Sequence, residues 1–198
     1  MQLTVDHKEY AVFHPKKFAL WVAMASIIMF FVAFTSAYIV RKGAGNWEEF
    51  RMPDVFLFST IVIMLSSLTI HWAKISLHND KQSNYKLATG LSLGLGFLFL
   101  YLQMQGWQAL QYIGVYLDGN PSGSFFYVIT GAHAVHLAGG LLILLYAFAD
   151  ALLNYSGAVK SLIYETNPGK KLRIDMISTY WHFVGVLWII LYLFLYFY

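Results

Sequence analysis

Of 198 residues only 12% are Asp, Glu, Lys or Arg, while 59% are hydrophobic, 18% are aromatic and the mean hydropathy is +0.57. Soluble domains carry about 25% charged residues, so a water-soluble fold of this length would expose apolar surface that it has no means to bury. The formal charge of +3 sits in segments flanking the apolar runs, which reads as a topology signal and not as a nucleic-acid surface, and zero Cys excludes thiol chemistry, thiolate metal sites and disulfides.

Charges locate the helices. One charged side chain at the bilayer centre costs about 2.5–3.5 kcal/mol on insertion scales, and a helix needs about 20 residues to cross, so long uncharged runs mark spans. The polar residues 1–17 lead into the first run, Phe18 to Val40, which is too long and lacks the cleavage-type end of a signal peptide. Val55 to Ala73 is the second run, closed by Lys74, with the span taken to about residue 76. Leu87 to Leu117 exceeds one crossing, so its helix is expected to stop near Trp107 or Leu110, giving a span of 87–108. Asp118-Gly-Asn-Pro-Ser-Gly-Ser is turn-rich and places the fourth span at 125–149. The segment Asp150 to Asp175 has room for a short surface helix but contains Asn167-Pro-Gly, a breaker; the fifth span, 176–198, is free of charge. With no internal repeat, the expectation is an all-α integral membrane protein, one domain over residues 1–198 made of five transmembrane helices.

The alternate connecting segments differ in charge. Lys8, Lys16, Lys17, Lys74, Lys81, Lys86, Lys160, Lys170, Lys171 and Arg173 fall on one side, against Arg41, Lys42 and Arg51 on the other. Ten against three puts the amino terminus in the cytoplasm and the carboxyl terminus outside.

Within the spans the only side chains that titrate near neutral pH are histidines: His71, His133, His136 and His182. Imidazole suits haem or metal ligation, yet each can equally satisfy a hydrogen bond across a helix interface. A shared haem needs two at one depth, which only His71 and His182 meet. Gly90, Gly94 and Gly96 on the third helix, with Gly131, Gly139 and Gly140 on the fourth, permit close packing, and Ser66, Ser67 and Thr69 offer interhelical hydrogen bonds. Trp181, Gly185, Trp188 and Tyr192 form one stripe on the last helix, while Trp21, Trp47, Trp72, Trp107, Tyr180 and Tyr198 lie near span ends as interfacial anchors. Apart from Lys74 at the end of the second, no span carries Asp, Glu, Lys or Arg, which argues against an ion-coupled transporter. A small channel acting as a homo-oligomer is the alternative to a subunit of a larger complex.

Several stretches resemble one family, subunit III of the haem–copper terminal oxidases. Tyr180-Trp-His-Phe-Val-Gly-Val-Leu-Trp is similar to that family's closing helix, and Thr130-Gly-Ala-His-Ala-Val-His-Leu-Ala-Gly to its glycine–histidine helix. Ser59-Thr60, Ser66-Ser67, Thr69 and Ala73, then Leu95-Gly96, Phe99-Leu100, Gln103 and Trp107, fit its pattern, as do Ser26, Phe30, Tyr38 and Arg41. The likeness is to the five-helix bacterial form. It implies tilted helices packed beside subunit I, no cofactor in this chain, and haem and copper in subunits I and II. It implies a non-catalytic subunit of an oxygen-reducing, proton-pumping complex of the aerobic chain, fed by cytochrome c rather than quinol and set in the bacterial plasma membrane. The implied roles are assembly, retention of phospholipid and support of proton uptake, with a respiratory supercomplex as a further possible association. His133, His136, Trp181, His182 and Trp188 are the motif positions, expected to be structural or lipid-contacting. Many members carry an acid where this chain has Ile27, Gly106 and Gly185, so the histidines here are expected to satisfy one another, backbone carbonyls or lipid.

Overall fold

The computed structural model describes residues 15–154 and 168–198. Its helices are α1 (Pro15–Gly43), α2 (Val55–His78), α3 (Gln82–Tyr112), α4 (Pro121–Asn154) and α5 (Pro168–Phe197). All five are long and apolar enough to cross a membrane, which makes the chain a multi-pass membrane protein. The surface helix considered within Asp150–Asp175 falls largely outside the described residues.

Helix ends depart from the positions read off the turn residues. The Asn-Pro-Ser-Gly-Ser stretch is not all loop: the Asn120 side-chain oxygen accepts from the Ser122 amide at 3.1 Å, and α4 begins at Pro121. Proline at the first helical position loses nothing, since its missing amide would have been unpaired there, and its ring presets φ. Pro15 and Pro168 likewise open α1 and α5, so the proline of Asn167-Pro-Gly starts a helix instead of breaking one. α3 runs past both Trp107 and Leu110 to Tyr112. It is closed by Gly114 at φ 84°, with the Val115 amide returned to the Leu110 carbonyl at 3.0 Å.

α2, α3, α4 and α5 close into a ring in which each packs on the next and α5 returns to α2; α2 and α3 share the most extensive contact. Phe56, Ile63, Phe99, Phe126, Leu144, Trp181 and Trp188 fill its axis. α1 lies outside this ring against α4 and α5. Its buried residues are Met24, Phe31 and Tyr38, spaced seven apart, so α1 touches the ring along a single line.

Both ends of the bundle are tied. At the basic end Asp175 meets Lys74 at 3.2 Å and His78 at 3.1 Å, Arg173 meets Asp150 at 3.3 Å, and Lys171 meets Asp80 at 3.5 Å. At the opposite end Asn120 donates to the Asn46 carbonyl and accepts from the Glu48 amide, both at 3.3 Å, and Lys42 pairs with Glu49 and the Tyr198 carbonyl. These ion pairs are partly exposed and contribute about 0–1 kcal/mol each, so they orient the ends more than they hold them.

Candidate functional site

The motif residues converge on the bundle axis. Helices in lipid gain little from hiding apolar surface, so close contact and hydrogen bonds must hold them together. Trp181 of α5 supplies both. A Cβ at Gly96 of α3 would stand 3.0 Å from its indole and 2.6 Å from Leu141, and a Cβ at Gly140 of α4 would stand 3.3 Å from the indole and 3.0 Å from Tyr180. The two glycines thus form a slot for the indole. From that slot Nε1 donates to Ser66 Oγ of α2 at 3.0 Å, and Ser66 donates on to the Ser92 carbonyl of α3 at 3.2 Å. Thr69 and Ser92 hydroxyls meet at 2.7 Å beside it. One side chain therefore touches all the other helices of the ring.

The same device recurs nearer the other end. Trp188 Nε1 donates to Thr60 Oγ1 at 2.9 Å, and Trp107 Nε1 donates to Thr130 Oγ1 at 3.1 Å. Thr60 and Thr130 each donate back to the carbonyl four residues earlier, both at 2.8 Å, so no hydroxyl proton is wasted in an apolar interior. Gln103 of α3 donates to Ser59 of α2 at 2.9 Å. Trp107 and Tyr180, near span ends, also tie helices together: Trp107 bridges α3 to α4, and the Tyr180 hydroxyl donates to the His136 carbonyl at 2.9 Å.

The histidines do not form one cluster. His136 Nδ1 lies 2.7 Å from the Ala132 carbonyl of its own helix. His182 Nδ1 lies 2.8 Å from Ser67 Oγ, with the His71 ring 6.1 Å away, centroid to centroid. His133 departs from expectation: it is fully buried, and neither ring nitrogen has a hydrogen-bond partner among the described residues. Its ring instead packs against Trp188 at 5.1 Å and Phe99 at 6.0 Å. Among the described residues no three His, Asp or Glu side chains group as a metal site.

The glycines divide. Gly90 accommodates Phe148 at 3.0 Å, but a Cβ at Gly94 or Gly131 would meet nothing within 4 Å, so close packing within this chain does not explain those two. Gly106 was marked only as an absent acid, yet a Cβ there would stand 2.5 Å from the Phe56 ring. That ring fills the space where a side chain would go. Gly185 is roomier, facing Ser67 Oγ at 3.5 Å and Ile63 at 3.8 Å. A sequence cue for the missed partners Thr60, Thr130 and Ser59 does exist: each is a hydroxyl at the depth of an indole or amide on an adjacent helix.

Beside α1 the surface is incomplete. An apolar cleft of about 630 Å³ lies between α1, α4 and α5, lined by Ala23, Ile27, Gly139, Ile143 and Trp181, with Lys16 and Arg173 at its basic-end mouth. A second, of about 300 Å³, lies between α1 and α5 around Phe31, Thr35 and Leu187.

Residues 4–198 match a family model described as cytochrome c oxidase subunit III. A protein named cytochrome c oxidase subunit 3 from Corynebacterium diphtheriae is 28% identical over 184 residues, covering 89% of this chain and 84% of its own. Its namesake from Thermostichus vulcanus is 27% identical over 208 residues, 98% of this chain and 92% of the relative. That of Synechocystis sp. is 27% identical over 191 residues, with 87% and 74% covered.

Proposed function

This chain belongs to the cytochrome c oxidase subunit III family, and from that premise we propose that it is the non-catalytic third subunit of a proton-pumping haem–copper oxidase in the bacterial plasma membrane. It forms one membrane domain with its amino terminus in the cytoplasm and its carboxyl terminus outside. Haem and copper reside in subunits I and II, with cytochrome c as electron donor. The observation that carries this reading is the Trp181 clasp, in which family-motif residues of α5 meet Ser66, Gly96 and Gly140 from three other helices. Motif residues used this way build a scaffold. The bulky side chains filling the ring axis leave a channel no path through one bundle.

Assembly and lipid retention follow from the two regions around α1. The larger cleft matches an acyl chain in its apolar lining, and Lys16 with Arg173 at the mouth matches an anionic headgroup. His133, His136, His182, Trp181 and Trp188 act structurally, setting the depth and rotation of α4 and α5. Support for proton uptake by subunit I is indirect, through the position of the assembled subunit, since the acids of other members are absent at Ile27, Gly106 and Gly185.

The test is copurification. A tag on this chain, extracted in mild detergent, is expected to bring down two larger subunits with a haem–copper spectrum and oxygen uptake. A haem-free homo-oligomer would overturn the subunit reading, and haem in the chain expressed alone would overturn the assignment of cofactors to the partners.

A further inference from the structure

The α3–α4 hairpin is unlike the rest of the chain in charge. Between Lys86 and Lys160 there is neither lysine nor arginine, and the hairpin's tip, at the end of the bundle opposite the Asp175 ion pairs, holds Asp118 alone. Hydrophobic side chains crowd that tip instead: Tyr112 is 90% exposed, and Ile113, Tyr116 and Leu117 are exposed beside it. Such a cluster is poorly placed in water and well placed in the interfacial layer of a bilayer. Below it a groove of about 450 Å³ opens between α3 and α4, lined by Trp107, Gln111, Leu117, Tyr127, Val128 and Gly131 among others. Its shape is fixed by the fold. Trp107 donates to Thr130, and the Tyr127 hydroxyl donates to the Val115 carbonyl at 2.9 Å, so both rings turn their polar groups inward and show the groove carbon. Gly131 gives it depth, because nothing stands within 4 Å of where its Cβ would be.

Gln111 brings the groove a polar side chain that is exposed and makes no side-chain hydrogen bond among the described residues. Its neutral amide both donates and accepts. The larger cleft beside α1 differs at its mouth, where Lys16 and Arg173 stand. We infer that the α3–α4 groove holds an acyl chain of a lipid whose headgroup carries no net charge, an ethanolamine or a sugar, and hydrogen-bonds to Gln111. Under the proposed orientation, on which the naming of the leaflet rests, that lipid belongs to the outer leaflet, while the α1 cleft draws an anionic one from the inner. An anionic headgroup at Gln111 would meet no lining cation and would share the hairpin tip with Asp118. A transmembrane helix fits less well. On α4 the groove runs only from Tyr127 to Ala132, about 8 Å at 1.5 Å per residue, and one turn deeper Val135 stands out, 72% exposed.

The test compares headgroups. The tagged chain, with whatever copurifies, is reconstituted into phosphatidylcholine vesicles holding a trace of one lipid with a diazirine on its acyl chain: phosphatidylethanolamine, monoglucosyl diacylglycerol or phosphatidylglycerol. Adducts on residues 127–132 are measured relative to Val135, which faces bulk lipid. The two uncharged lipids are expected to tag the groove about five-fold more than phosphatidylglycerol, the scale of one charge at a membrane surface, and the order should invert at residues 139–143 in the α1 cleft. Gln111→Lys should bring phosphatidylglycerol level with the others. Gly131→Leu, which fills the groove from its open floor, should reduce the adducts on Trp107 to the level of Val135. Equal tagging by all three lipids, or a preference for phosphatidylglycerol, would overturn the headgroup assignment. Groove adducts no denser than those at Val135 would overturn the site itself. Neither result depends on whether haem-bearing subunits copurify, which is the separate test of the subunit reading.

Discussion

α1 and the α2–α5 ring solve the same problem in opposite ways. The ring is bound by directed contacts at several depths: indoles aimed at hydroxyls, and glycines shaped around Trp181 and Phe56. α1 has one line of buried residues, Met24, Phe31 and Tyr38, and a cleft on each side of it. Two of its hydroxyls are satisfied within the helix itself, Ser26 and Thr35 each donating at 3.0 Å to the carbonyl four residues earlier. In lipid, where burial gives little drive, specificity comes from hydrogen bonds and shape. The ring has both, and α1 has shape alone over a narrow line. A helix attached so sparingly leaves room for lipid to complete it.

Variants can break or sharpen this contrast. The largest effect is expected from Gly96→Leu, which drives a branched side chain into Trp181 and Leu141; immunoblots of purified oxidase should show the subunit reduced more than ten-fold. Next come two single-methyl changes of opposite outcome. Gly106→Ala meets Phe56 and should cost about 1–3 kcal/mol, whereas Gly185→Ala has space and should stay within about 0.5 kcal/mol, both read as shifts in the thermal dissociation of the subunit. His182→Leu unpairs Ser67, and a loss of about 1 kcal/mol should lower the amount of assembled complex more than the turnover of what assembles. Full assembly with abolished oxygen reduction would overturn the structural role. Phe31→Ala should loosen α1 alone: a spin label on its outer face gains mobility while the ring's dissociation temperature moves little. His133→Leu is expected to act in the opposite direction. Removing two unpaired buried nitrogens should leave stability unchanged or raise it, by up to about 1 kcal/mol.

Much of the architecture was legible in charge alone, because the cost of burying a charge in hydrocarbon writes the spans directly into Lys74, Asp118 and Asp150. The ends were less legible. Proline reads as a breaker in the middle of a run and as a starter at its edge, and Pro121 and Pro168 are starters. Which glycine packs was not legible at all. In a soluble helix the polar face reveals the buried one, but here the lipid face is as apolar as the core, so hydropathy does not separate Gly96 from Gly94. At Trp107 a second role was not legible: an indole near a span end can be an interfacial anchor, and its position alone does not reveal that it donates to Thr130. His133 was expected to be satisfied because buried polar groups usually are. Its surroundings are aromatic instead.

The position of α1 also bears on how the chain is made. Its packing partners, α4 and α5, begin at Pro121 and Pro168, so α1 is made long before the surface it rests on exists. Meanwhile α2 and α3, joined by the short turn at Asn79 to Lys81, can pair as soon as both are in the bilayer. A helix that must wait among acyl chains has to be stable there alone. α1 contains the most apolar stretch of the five, and its Ser26 and Thr35 hydroxyls ask nothing of a neighbour. Its sequence suits a segment that enters the membrane ahead of α4 and α5 and docks only once they are there.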